Sequence, residues 1–410
     1  KKTYDLLQSG NTVGVFQMES EGMKRTIRIL EPESLEDICY ILSAYRPGPM
    51  QFITEYADVK KGKQKPDYII DELEPILSVT NGVITYQEQV MKIAEIIAGY
   101  SLGSADILRR AMGKKKLDVM QAEKPKFVEG GIKNGYNKKD VEKIWERLVQ
   151  FANYGFNKAH SASYATIAYW TAYLKANYPL EYMAALLEGD LEKFDRVILD
   201  LKECERLGIE VKPPDINQSD YYFTVEGERS IRFGLGGIKN VGNELVKTIV
   251  KERQKNGKYE HLDDFVHRNF SEINKKAMEY LIMSGTMDTF GDRSGLIHVL
   301  GEIYDREKAE RRSEEMGQFD IFSIDNNGNK KEKDISKTPL PQNIKTETSQ
   351  ILLWEKELLG LYFSSHPLDN LSEFFETKEV IPLEEALEEK KNNETVILGV
   401  MVTKIRKITT

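Results

Sequence analysis

Two adjacent arginines, Arg109 and Arg110, close a pattern that runs from Ser104, placed to cap a helix, to Gly113, placed to end one. Lys114, Lys115 and Lys116 follow at once. So many cations leaving one helix end suit a polyphosphate better than a single carboxylate. The alternative is that they offset the helix dipole and are solvated. A second constellation is Tyr154-Gly155-Phe156-Asn157-Lys158-Ala159-His160-Ser161-Ala162-Ser163-Tyr164. It leads into a long helix through Ile167, Trp170 and Leu174. Lys158, His160 and Ser161 at a helix N-terminus would bind phosphate, and Tyr164, one turn behind His160, would offer a ring to a sugar or base. The competing reading makes His160 a cap and Tyr164 core. His160 and Ser161 are adjacent and no third member is identifiable, so a Ser/His/Asp triad is excluded.

A third segment, Leu235-Gly236-Gly237-Ile238-Lys239-Asn240-Val241-Gly242-Asn243-Glu244-Leu245-Val246-Lys247, reads as a tight turn before a helix. In a helix-hairpin-helix such a turn offers backbone N–H groups to a DNA phosphate, making Gly236, Gly237, Lys239, Asn240, Gly242 and Lys247 candidate contacts. Asn240 stands where that hairpin usually has glycine, and Asn tolerates positive φ. Gly242 is expected at positive φ as well. A plain helix-helix loop is the alternative. The fourth segment is Gln318-Phe319-Asp320-Ile321-Phe322, inside a polar stretch. Its large apolar groups have no core to join, so an anchor for a partner's apolar pocket explains them, unless the pentapeptide is a chance pattern.

These groups need elements to hold them. The chain has 410 residues, 40% of them hydrophobic, enough for two or three domains with their own cores. The net charge of −8 hides an asymmetry, because residues 101–160 carry 13 Lys and Arg against 7 Asp and Glu. Cys39 and Cys204 are too few for a disulfide framework or a Cys-based zinc site, and no metal ligand set is expected. No apolar run long enough to span a membrane and no signal-peptide pattern occurs, so the expected location is cytoplasmic, with no membrane partner.

The first 190 residues read as packed helices, among them Glu88 to Ala98 with the apolar stripe Val90, Ile93, Ala94 and Ile97. Residues 191–235 hold a small β insertion, with strand signal at Ile209–Val211, Tyr221–Val225 and Ser230–Phe233. Helical pattern returns over 236–300. Residues 301–350 are expected to be a polar linker, 351–392 a short helical connector, and 393–410 a strand cut off before its sheet closes. The fold class is mainly α.

Read together, the segments resemble the alpha subunit of bacterial DNA polymerase III, the C-family replicative polymerases. The resemblance rests on Gly14-Val15-Phe16-Gln17-Met18-Glu19-Ser20, Arg46-Pro47-Gly48-Pro49, Tyr86-Gln87-Glu88-Gln89-Val90-Met91, Leu108 to Lys116, Gly155 to Ser161, Pro213-Pro214-Asp215-Ile216-Asn217 and Leu359-Gly360-Leu361-Tyr362. It implies helical fingers, a helix-hairpin-helix near Gly236 to Met287, a sliding-clamp motif at Gln318, Asp320, Ile321 and Phe322, and the start of an OB fold. It also implies dNTP, primer-template DNA, the bacterial sliding clamp and other polymerase III holoenzyme subunits as partners. The family's palm carries an Asp-x-Asp pair and a further Asp that have no counterpart here. Catalytic residues and the Mg²⁺ ligands of the full enzyme are therefore expected outside this chain, with no cofactor bound by the fragment itself. A DNA- and clamp-tethering module without a nucleotide site is the rival expectation.

Overall fold

The computed structural model describes residues 1–113, 117–152, 154–191, 193–316, 335–365, 367–368, 372–378, 380–381, 386 and 395–400. They form two compact units, Lys1–Met183 and Ala184–Thr410.

The first unit is helical: α1 Lys2–Ser9, α2 Glu21–Leu30, α3 Leu35–Ala44, α4 Ile53–Lys60, α5 Glu74–Leu77, α6 Gln87–Ala98, α7 Leu102–Gly113, α8 Leu117–Lys133, α9 Lys138–Ala152 and α10 Lys158–Asn177. The expected stripe of α6 is its buried face, with Val90, Ile93, Ala94 and Ile97 all in the core. Ser101, rather than Ser104, caps α7, accepting from the Ser104 N–H at 3.3 Å. α10 buries small residues, Ala165, Ala168 and Ala172, and this lets it lie close against α3 and α1. Its bulky residues point the other way, and Trp170 is 61% exposed.

The second unit follows α11 Pro179–Asp190 with α12 Phe194–Arg206, β1 Glu210–Lys212, β2 Thr224–Glu226, β3 Ser230–Arg232, α13 Asn243–Asn256, α14 Leu262–Asn269, α15 Lys275–Met283, α16 Arg293–Glu315, α17 Thr348–Leu358 and α18 Ser372–Thr377. β3 is the central strand, parallel to β1 and antiparallel to β2. The small β insertion is therefore a mixed three-stranded sheet. Two expectations change. α16 runs to Glu315, past the start of the expected linker, because Glu307 and Arg311 pair along it at 2.7 Å and Arg311 also donates to the His267 carbonyl at 2.7 Å. Thr338 and Thr346 are not solvated linker residues either. The Thr338 N–H donates to Asp263 at 3.0 Å, and the Thr346 hydroxyl donates to Asp292, the N-cap of α16, at 2.8 Å. Among residues 395–400 Leu398 forms an isolated bridge with Ile381, and the rest of the expected 393–410 strand lies outside the described residues.

These carboxylates make the second unit acid-sensitive. Burial pushes the Asp263 carboxyl up, but hydrogen bonds from Thr338 and the Arg306 guanidinium outweigh it and hold the group below its usual range. Glu307 is likewise lowered, burial being outweighed by His267 and Arg311. A folded pKa below the unfolded one contributes stability above the unfolded value, about 4, and loses it as pH falls through the folded value. The urea midpoint of the second unit is expected to hold from pH 7 to about 5 and to fall below about 4. A midpoint flat to about pH 3 would contradict this.

Candidate functional site

The N-terminus of α10 is built by pairing two loops. The Phe156 N–H donates to the Thr85 carbonyl at 3.0 Å and the Gln87 N–H to the Phe156 carbonyl at 2.9 Å. Gln89 is buried and its side-chain oxygen accepts from the N–H groups of Thr85 and Tyr86, both at 2.9 Å. The segment Tyr86 to Gln89 thus fixes where α10 begins. Asn157 caps the helix, accepting from the His160 N–H at 2.8 Å, so His160 is not the cap. The Glu88 carboxylate takes the Lys158 N–H at 3.1 Å, supplying the negative charge that a helix start attracts.

His160 and Tyr164 do come together. Their ring centroids are 4.4 Å apart, with His160 exposed and Tyr164 half-buried. The row extends at both ends. Phe156 meets His160 edge-on at 5.5 Å and Phe16 meets Tyr164 at 5.4 Å. Lys158, at the first turn of α10, is ion-paired with Glu36 at 3.2 Å and lies 5.5 Å from the Tyr86 ring. Ser161 is not at this surface. It is 1% exposed, and its hydroxyl bonds the Cys39 carbonyl at 2.7 Å and the Ser43 hydroxyl at 2.9 Å, fastening α10 to α3. Phosphate contact by Ser161 is corrected accordingly: the step of about 100° from His160 to its neighbour carries it to the buried face.

Arg109 and Arg110 both reach one carboxylate, Asp106, at 2.7 and 2.6 Å. Two guanidiniums on one acid leave an excess positive charge at an exposed helix end. Lys114 and Lys115 lie outside the described residues. α7 packs on α6, α8 and α9, whereas α10 packs on α3 and α1. The aromatic row and the arginine pair therefore stand on different packing layers of this unit.

In the second unit the turn before α13 spends most of its amides internally. Gly236 N–H donates to the Tyr221 carbonyl at 2.9 Å, Gly237 N–H to Gly234 at 3.1 Å, and Lys239 N–H to the Leu358 carbonyl at 2.9 Å. Gly236 and Gly237 are glycine for space, since a Cβ would come within 2.8 Å of the Tyr221 carbonyl or the Phe233 ring. Asn240 does take the left-handed conformation, φ 65°. Gly242 does not: its φ is −68° and a Cβ there meets nothing within 4 Å. The expected positive φ at Gly242 is corrected, because the chain has already turned at Asn240. Gly242 is the N-cap of α13 and has no side chain to satisfy the first N–H groups. A cleft of about 490 Å³ opens there, lined by Gly242, Asn243, Glu244, Leu245, Thr248 and Glu272. Lys239 is exposed, and Lys247 is paired with Glu244 at 2.8 Å. Gln318, Asp320, Ile321 and Phe322 fall outside the described residues.

The family described as bacterial DNA polymerase III alpha subunit finger domain matches residues 1–135, and the helix-hairpin-helix motif family matches residues 208–296. The DNA polymerase III subunit alpha of Aquifex aeolicus is 43% identical over 98% of this chain and 33% of its own length. The chain is similar along nearly its whole length to one segment of bacterial DNA polymerase III alpha subunits. Alpha subunits of Borreliella burgdorferi and Thermus aquaticus are 43% and 41% identical, each over 90% of the chain. The chain spans about a third of the length of these polymerase relatives. Phe16 lies within the finger match, while α10 with its His160–Tyr164 pair lies beyond residue 135 but inside the polymerase alignments that cover nine-tenths of the chain. Among the described residues no helix is long and apolar enough to cross a membrane. Nor does any group of three or more His, Cys, Asp or Glu among them converge to hold a metal ion.

The sequence reading missed Phe16 and Phe156 as parts of the row. The signal for Phe156 was present: it stands four residues before His160, as His160 stands four before Tyr164. Phe16, far away in sequence, left none.

Proposed function

We propose that the full polypeptide is a DNA-directed DNA polymerase of chromosomal replication, and that this portion grips the incoming dNTP and the primer-template duplex. The observation that carries the nucleotide reading is the exposed pair His160–Tyr164, extended by Phe16 and Phe156 into a row on which a base or sugar can stack. Lys158 at the start of α10 and, on a separate packing layer, Arg109 and Arg110 with Lys114 and Lys115 following would supply cations for nucleotide or template phosphates. The described residues bring together no set of carboxylates that fits a magnesium centre. Its ligands are proposed to lie in the longer relatives' remaining length. The α13 turn would meet duplex phosphates, and Gln318 to Phe322 would dock on the sliding clamp with Ile321 and Phe322 as anchors. Other holoenzyme subunits are further proposed partners.

Titration of the 410-residue chain with a dNTP tests the nucleotide reading. Tyr164→Ala is expected to weaken binding about tenfold, the effect of one lost stacking ring. Unchanged affinity in both Tyr164→Ala and His160→Ala would refute it. The same chain with primer-template, dNTP and Mg²⁺ should extend no primer, and incorporation would overturn the placement of the carboxylates elsewhere.

A further inference from the structure

Arg46 ends up on the aromatic row although it is 110 residues from Phe156 in sequence. α3 stops at Ala44, and Pro47 and Pro49 cannot continue a helix ladder. Gly48 then turns the chain at φ 104°, a conformation open to glycine, and lies so close to Tyr154 that a Cβ would overlap its ring at 2.1 Å. That close fit seats Arg46 against the loop before α10. Its guanidinium carbon lies 3.5 Å from the Phe156 ring centroid, the distance of flat stacking.

A guanidinium held this way has its N–H groups pointing outward in its own plane. Among the described residues none of them has a carboxylate or carbonyl partner, although Arg46 is half-buried. Two acids that meet the first turn of α10 are already engaged, Glu36 by the Lys158 ammonium and Glu88 by the Lys158 N–H. Burial lowers the Arg46 pKa from its usual value, yet arginine stays charged at neutral pH. A half-buried permanent cation with open donors is costly unless an anion meets it.

We propose that Arg46 is a phosphate-binding residue of the His160–Tyr164 surface, stacked on Phe156 so that its in-plane N–H groups meet the phosphate oxygens of a nucleotide whose base or sugar lies on the row. This rests on the nucleotide reading above. It adds a cation fixed by a ring, whose geometry matches a phosphate edge in a way a freely rotating lysine does not.

The test uses the 410-residue chain, a deoxynucleoside triphosphate and the same deoxynucleoside without phosphates. Arg46→Gln is expected to weaken triphosphate binding about ten- to a hundredfold while changing nucleoside binding less than about twofold. Arg46→Lys, which keeps the charge and loses the fork, is expected to fall between. Unchanged triphosphate binding in Arg46→Gln, with Tyr164→Ala still impaired, overturns the Arg46 assignment and leaves the nucleotide surface standing. Equal losses for nucleoside and triphosphate also overturn it, since they would mean that Arg46 only props the Phe156 ring. If neither variant changes binding, or the unaltered chain binds neither probe, the surface and Arg46 fall together.

Discussion

Replacing Glu355 with alanine is expected to cost the second unit about 3–5 kcal/mol. Glu355 is 1% exposed in α17, and its carboxylate accepts from Arg293 at 3.1 Å, from the Phe363 and Ser364 N–H groups at 2.8 and 3.1 Å, and from the Ser364 hydroxyl. One carboxylate thus ties α16 and α17 to the loop that follows Leu361. Removing it leaves a buried guanidinium with Asp288 as its remaining acid, and strips the Phe363 and Ser364 N–H groups of their partner. A buried pair is expensive to break because the partner left behind keeps its desolvation cost, and this, more than the attraction itself, sets the size of the loss. The double change Arg293→Met/Glu355→Leu is expected to lose less than Glu355→Ala alone, since no uncompensated charge remains. Urea unfolding followed by hydrogen exchange within the second unit checks both. A loss below about 1 kcal/mol for Glu355→Ala would mean that the loop finds other partners.

Glu355 also shows where the sequence stops being readable. The buried stripe Leu352, Glu355, Leu358 has helical spacing, and an acid at its centre is the visible sign of a buried partner. What cannot be seen is that the partner is Arg293, 62 residues earlier. The same limit explains the linker. Residues 335–347 are too polar to build a core, yet Thr338 and Thr346 are held by Asp263 of α14 and by Asp292, the N-cap of α16, partners that local composition does not reveal. Local patterns fared better. The α6 stripe, the turn at Asn240 and the β2–β3 hairpin follow from period, propensity and turn chemistry within a dozen residues, whereas the parallel pairing of β1 with β3 spans twenty.

At the candidate site the division is similar. The spacing of His160 and Tyr164 put their rings in contact because i and i+4 share a helix face. Ser161, one residue on, was bound to face away by the same geometry, so grouping it with His160 ignored the 100° step between neighbours. Arg46 and Phe16 reached the row through tertiary folding and left no local trace. On α10 the bulky residues Ile167, Trp170 and Leu174 have the spacing of a buried stripe, yet three alanines take the core. Close helix approach, rather than side-chain size, decided that face.

The α13 turn gives the other large expected effect. Gly242→Asp should weaken duplex DNA binding about tenfold while leaving the unfolding midpoint unchanged or raised. The two halves of this outcome have separate causes. Gly242 has the extended conformation of an N-cap residue, and its Cβ position is open, so aspartate fits without strain and can accept from the first N–H groups of α13. That caps the helix. The same carboxylate then fills the place a DNA phosphate would take and repels it, beside Glu244 and Glu272 that already line the cleft. Gly242→Val is expected to weaken binding less, because it blocks approach but adds no charge, and valine is at ease at φ −68°. If the turn and Lys239 together neutralise about two phosphates, affinity should also fall about tenfold between about 50 and about 200 mM salt, with a shallower dependence in Gly242→Asp. Equal duplex affinity for the unaltered chain and the Gly242→Asp variant at low salt would make this turn a plain connection between helices, and duplex contacts would then have to be sought elsewhere on the chain.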